Sequence, residues 1–144
     1  MLLGTHEHTI DDKNRLTLPA KFRQAFADGL VVTRGFERCL FAYRREDWQR
    51  RIESRIAALD SLSEETRKLE RFVFSGAAEA ELDKQGRLML PSHLIEHAGL
   101  GREVVIAGVN DRIEIWDRAA WRTELAEVEG RAEHVAERLA TRRD

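Results

Sequence analysis

Cysteine is nearly absent from this chain of 144 residues, and that scarcity is the first constraint. Cys39 stands alone, so no internal disulfide can form, and the chain suits a reducing compartment. No apolar run is long enough to span a bilayer, so no membrane role is expected. The opening residues, Met1-Leu2-Leu3-Gly4-Thr5-His6, lack the basic start and apolar stretch of a signal peptide. Together these absences predict a cytoplasmic chain. A dominant charge sign is also missing. The net charge is −2, which argues against coating DNA non-specifically but leaves room for a local basic face. Residues 13 to 23 supply one, with Lys13, Arg15, Lys21 and Arg23 and no acid among them. No Ser/His/Asp arrangement, phosphate-cradling glycine loop or pair of catalytic carboxylates has supporting context. The expectation is a protein without catalysis, metal or cofactor. What remains is 42% hydrophobic and 35% charged, the balance of a soluble globular domain large enough to fold without staples.

The strongest positive signal is an internal repeat. The chain has only two prolines, Pro19 and Pro91, and each closes the same pattern. Asp11-Asp12-Lys13-Asn14-Arg15-Leu16-Thr17-Leu18-Pro19 matches Asp83-Lys84-Gln85-Gly86-Arg87-Leu88-Met89-Leu90-Pro91 at an offset of 72. At offset 73 the likeness continues: Val31-Val32 with Val104-Val105, Gly35 with Gly108, Tyr43 with Trp116, Trp48 with Trp121.

Each copy reads as a hairpin, a short helix and a second hairpin. Glu7 to Ile10 is a strand, Asp11 to Arg15 a turn, and Leu16 to Leu18 a second strand. Pro19 is expected at the first helical position, where its missing N–H costs nothing. Phe22, Ala25 and Phe26 form an apolar helical face, and Gly29 stops it. Leu30–Thr33 and Cys39–Tyr43 are strands around a turn at Gly35 to Arg38. The second copy repeats this with Leu94, Ile95, Gly99, then 103–107 and 112–116. The turn position holds Asn14 in one copy and Gly86 in the other, the residue types that accept positive φ most readily. Asp11 and Asp83 open the turns, where a carboxylate accepts backbone N–H bonds.

Between the copies, Trp48, Ile52, Ile56 and Leu59 recur at helical spacing. Ser61 with Glu64 reads as a capping box for a second helix carrying Leu69, Phe72 and Val73. At the C-terminal end, Trp121, Leu125, Val128, Ala132, Val135 and Leu139 form a heptad-like stripe interrupted by Gly130. Packing of that helix on its own domain is the expectation, with contact to a neighbouring subunit as the alternative. The organisation is therefore repeat 1 over 5–49, a helical connector over 50–75, repeat 2 over 76–121 and a helical tail over 122–144.

Arg15 and Arg87 follow tight turns and can project from rigid β elements, with Lys13 and Lys84 beside them. The planar guanidinium suits phosphate and guanine because it donates two parallel bonds. The competing reading is an Asp–Arg pair that only locks the turn. Duplication favours the first, since paired readers suit double-stranded DNA. His93-Leu94-Ile95-Glu96-His97 matches the inverted zinc-protease pattern, but no third ligand follows, and exposed helix histidines are the better reading. His6 and His8 share one face of a strand and read as surface histidines rather than a metal pair. Cys39 reads as a small core residue.

These segments resemble the MraZ family of the AbrB/SpoVT-like DNA-binding superfamily. The most specific pieces are Asp11-x-Lys13-x-Arg15, Phe74-Ser75-Gly76-Ala77-x-Glu79, Asp83-Lys84-Gln85-Gly86-Arg87 and Ile113-Glu114-Ile115-Trp116. Where the family's first motif has Gly before the Arg, this chain has Asn14. The resemblance implies an α+β fold, mainly β: a double-split, swapped-hairpin barrel in which two copies within one chain take the roles of two interlocked subunits. It implies assembly of copies into a ring, and binding to direct repeats in the promoter of the protein's own division and cell-wall operon, usually with repression. It makes Arg15 and Arg87 the first choice for DNA contact, assisted by Lys13 and Lys84, on a nucleoid-associated protein. Two other functions compete: an antitoxin-like module that grips a protein partner, and a zinc hydrolase using His93, Glu96 and His97.

Overall fold

The computed structural model describes residues 1–142 of the chain. Alternating apolar residues and turn signals produce eight strands. They are β1 (Leu2–Thr9), β2 (Arg15–Thr17), β3 (Leu30–Arg34), β4 (Leu40–Arg44), β5 (Ala78–Ala80), β6 (Arg87–Met89), β7 (Glu103–Asn110) and β8 (Ile113–Asp117). The helices are α1 (Ala20–Arg23, continued by a 3-10 turn), α2 (Arg45–Trp48), α3 (Ser54–Ala57), α4 (Glu64–Phe74), α5 (Ser92–Ala98) and α6 (Arg118–Ala140). A π turn over Gln49–Glu53 joins α2 to α3.

The strands form a six-stranded sheet, β1-β7-β8-β4-β3-β5, and a two-stranded ribbon, β2-β6. This order shows the exchange of hairpins. The first strand of copy one, β1, pairs with β7 of copy two, and the first strand of copy two, β5, pairs with β3 of copy one. All pairs are antiparallel. In the ribbon Leu16 lies opposite its own equivalent Leu88, and between β4 and β8 Phe41 lies opposite its equivalent Glu114. A pseudo-twofold axis therefore passes through both pairs. The amide of Leu18 donates to Gly86 O at 3.0 Å, and the equivalent amide of Leu90 donates to Asn14 O at 2.8 Å. The swapped-hairpin barrel is thus closed by reciprocal contacts, and neither copy completes its hydrogen bonds alone.

The barrel interior is filled from both copies: Leu16, Leu18, Phe22, Phe26, Leu30 and Val32 meet Leu88, Leu90, Leu94, Val104, Ile106 and Ile113. A second cluster lies on the outer face of the large sheet, where Val31, Cys39, Phe41, Tyr43 and Trp116 are covered by Trp48, Ile56 and Val73. Cys39 is fully buried, and burial pushes its thiol far above the ordinary range, as a core residue requires.

Four details differ from the sequence reading. Pro19 and Pro91 sit at the N-cap, one residue before the helix, with ψ of 142° and 144°. The missing N–H is as harmless there, because the residue lies outside the helical hydrogen bonds. Helix α4 starts after Ser63, not Ser61, and Ser63 makes no side-chain cap. Asp60 takes over that bend by accepting the Leu62 amide at 3.0 Å. Leu59 is exposed. Helix α6 runs unbroken through Gly130 and packs on the barrel only by its first turns, leaving its stripe uncovered.

Candidate nucleic-acid interface

The site begins with the chemistry of the two turns. Asp11 Oδ1 accepts the amides of Lys13 and Arg15, both at 2.9 Å, while Oδ2 accepts Arg15 Nε at 2.8 Å. Asp83 repeats this with the amides of Gln85 and Arg87, both at 2.9 Å, and Arg87 Nε at 2.6 Å. Asn14 and Gly86 reach the positive φ the turn needs, 60° and 75°. The Arg15 amide, helped by its guanidinium and the Lys13 amide, holds the Asp11 carboxyl down to about 2. Asp83 is lowered for the same reason, its Arg87 amide first.

The turn-locking reading of the Asp–Arg pair is realised in both copies. The carboxylate locks the turn and holds the guanidinium by Nε alone. Among the described residues, no hydrogen bond engages the Nη atoms of Arg15, and Arg87 gives only Nη2 to Gln85 Oε1 at 2.8 Å. A guanidinium has five donors, so most remain available.

Register decides where they point. Arg15 lies opposite Met89 and Thr17 opposite Arg87. Side chains alternate across a strand, so these four share one face of the ribbon, and Leu16 and Leu88 share the other. Leu16 and Leu88 are fully buried, whereas Met89 is 61% exposed. Arg15 and Arg87 thus project from the same outer face, as diagonal neighbours about 7–8 Å apart. Lys13 and Lys84 are exposed on the turns that flank it.

The face is not symmetric in chemistry. Arg23 donates Nε to Leu18 O at 2.9 Å and lies across the second turn, where a Cβ on Gly86 would come within 2.5 Å of it. Lys21 sits over the Phe22 ring at 5.4 Å. The equivalent positions in copy two hold Ile95 and His93. Arg23 was not among the residues expected at this face, although it lies in the acid-free run from 13 to 23. On the same side, His6 packs edge-on against Phe22 at 5.4 Å and is half-buried rather than a surface group. His8 is held below its ordinary pKa by burial, with His6 and Arg23 adding to it.

Of the two α5 histidines, His93 is exposed, as the sequence reading expected, and His97 is half-buried. His93 Nε2 meets Gly76 O at 3.1 Å, and His97 Nε2 meets Gly35 O at 3.2 Å. His97 also packs against Phe72. They tie α5 to two separate backbone segments. Among the described residues, no group of three His, Cys, Asp or Glu is placed to hold a metal ion. No helix is long and apolar enough to cross a membrane among these residues.

Two exchanged hairpins, closed by a short ribbon that displays a pair of Asp-anchored arginines, define this chain as a double swapped-hairpin barrel. Comparison with known proteins narrows the class. The family model described as "MraZ protein, putative antitoxin-like" matches twice, over residues 1–72 and 73–143. A protein from Roseiflexus castenholzii named transcriptional regulator MraZ is 47% identical over 140 residues, covering 97% of both chains. Proteins of the same name from Heliobacterium modesticaldum and Acetivibrio thermocellus are 43% and 39% identical, over 96% and 97% of both chains. The chain belongs to the MraZ family.

Proposed function

We propose that this chain is a sequence-specific, double-stranded-DNA-binding transcriptional regulator of the cytoplasm and nucleoid, and that the β2–β6 ribbon is its reading head. The observation that carries this reading is the outward face of the ribbon, with Arg15 and Arg87 anchored by Nε and most of their Nη donors free. A major groove about 12 Å wide admits a two-stranded β-ribbon. An arginine oriented in advance loses little freedom on binding and can donate two parallel bonds to guanine. Lys13 and Lys84 lie where phosphates would flank such a ribbon, and they add affinity rather than sequence information. The names of the relatives support the regulator class, which is not an enzyme class.

The acidic net charge is reconciled by assembly. One ribbon contributes few phosphate contacts, so a single copy binds weakly. A ring of copies engaging adjacent direct repeats makes later contacts intramolecular and raises avidity without raising affinity for random DNA. In this reading the repeats lie in the promoter of the protein's own division and cell-wall operon, and occupancy represses it.

Footprinting on the DNA upstream of the gene tests the proposal. Protection at regularly spaced short repeats, lost steeply as salt rises, is the expected result. Uniform or absent protection would contradict it.

A further inference from the structure

Four side chains stand on the outward face of the β2–β6 ribbon, and one of them is apolar. Arg15 and Arg87 are equivalent in the two copies, but the residues two places further on are not: copy one has Thr17 and copy two has Met89. Met89 is largely exposed, while its strand neighbours Leu88 and Leu90 are buried. It joins neither apolar cluster of the fold. Keeping that side chain in water costs free energy that nothing in the barrel recovers. An unbranched, adaptable thioether thus stands among guanidinium donors, on the surface assigned above to the duplex.

Register fixes its neighbours. Met89 lies directly opposite Arg15, and Thr17 directly opposite Arg87. Side chains so opposed start about 4.5–5.5 Å apart at Cβ. The two rows are two residues apart along the strand, about 6.8 Å, which is about two base-pair steps. One row therefore offers a guanidinium with a thioether, the other a guanidinium with a hydroxyl. In the major groove guanine presents the N7 and O6 acceptors that an arginine matches. Among the four standard bases, the apolar group displayed there is the 5-methyl of thymine. We propose that Met89 is a specificity-determining residue, seating the 5-methyl group of a thymine within two base pairs of the guanine that Arg15 contacts. The hydroxyl of Thr17 serves any base edge, so the sharper preference falls on the Arg15 row. The recognised sequence is then lopsided although the backbone that reads it is pseudo-twofold. This rests on the ribbon being the DNA-binding head, and it assigns a base to one half of that head.

The test is fluorescence anisotropy of the full chain on a duplex that the wild-type protein selects from a random pool. Deoxyuridine in place of a thymine removes the methyl and leaves every hydrogen-bonding group in place. At one thymine this replacement should weaken wild-type binding about fourfold, the worth of one buried methyl. Met89→Ala and Met89→Gln should bind the thymine and deoxyuridine duplexes alike at that position. Met89→Leu, which keeps an apolar side chain, should retain most of the difference. Far-ultraviolet circular dichroism should be unchanged in all three, because the side chain is exposed. Replacing each guanine by 7-deazaguanine locates the Arg15 contact as the position that Arg15→Ala no longer feels, and it should lie within two base pairs of the thymine. Three results overturn the inference and leave the role of the ribbon standing. They are tight wild-type binding unmoved by any deoxyuridine, a Met89→Ala chain with the full wild-type methyl dependence, and a methyl dependence more than two base pairs from the Arg15 guanine. A wild-type chain that selects no duplex overturns the regulator reading and this one together.

Discussion

The two repeats share a backbone plan and differ in what is laid over it. In both turns the Asp makes the same three contacts, two of them to its arginine. Yet Arg23 of copy one covers the turn of copy two, while the turn of copy one is approached by Ile95. One end of the ribbon is thereby more basic than the other. A barrel with approximate twofold symmetry presents a polar, directional face, which suits a direct repeat better than a palindrome. The general lesson is that duplication supplies the scaffold, and the substitutions between copies supply the direction.

Several substitutions break or sharpen this comparison. The largest effect is expected from Arg15→Ala combined with Arg87→Ala, which should abolish specific binding in fluorescence anisotropy while circular dichroism stays unchanged. Each single change should cost about 1–3 kcal/mol of binding. If the ends are inequivalent, the two losses should differ, and Arg23→Ala should add to the loss while Ile95→Ala should not. Next in size, Leu16→Ala and Leu88→Ala remove equivalent, fully buried side chains on the pseudo-twofold axis. Each should lower stability to denaturant by about 2–5 kcal/mol, and by similar amounts if the axis is a true structural equivalence.

Smaller effects test the periphery. Lys13→Ala and Lys84→Ala should weaken binding evenly across DNA sequences, each reducing the salt slope by about one. Asn14→Gly should be nearly neutral, whereas Gly86→Asn should destabilise, because its Cβ meets Arg23. Thermal melts of the pair would show whether the two turns differ as the packing requires. Finally, a carboxyl held down to about 2 stabilises the fold fully above its unfolded value near 3.8 and loses that contribution as pH falls toward 2. An NMR titration of Asp11 should show it ionised at pH 4, in both the presence and absence of DNA.

Much of this was legible from residues. The repeat, the turn residues and the alternation that buries Leu16 beside Arg15 are local patterns. The exchange of β1 and β5 was not, because strand pairing across 94–108 and 46–50 positions leaves no periodic trace, and only the family resemblance implied it. The α6 stripe was read correctly as apolar but expected against its own domain. Periodicity reveals that a face is apolar and says nothing of what covers it. His93 and His97 matched a metal pattern because helical spacing places them on one face. Their partners, two backbone carbonyls from distant segments, carry no sequence signature.

The central claim is that the outer face of the β2–β6 ribbon meets the duplex. Met89 lies on that face, opposite Arg15 and on the same strand as Arg87, and a photo-crosslinking amino acid placed there tests it directly. Capture of promoter DNA from position 89, with none from position 135 on α6, is the predicted result. Capture from α6 with none from the ribbon would contradict it.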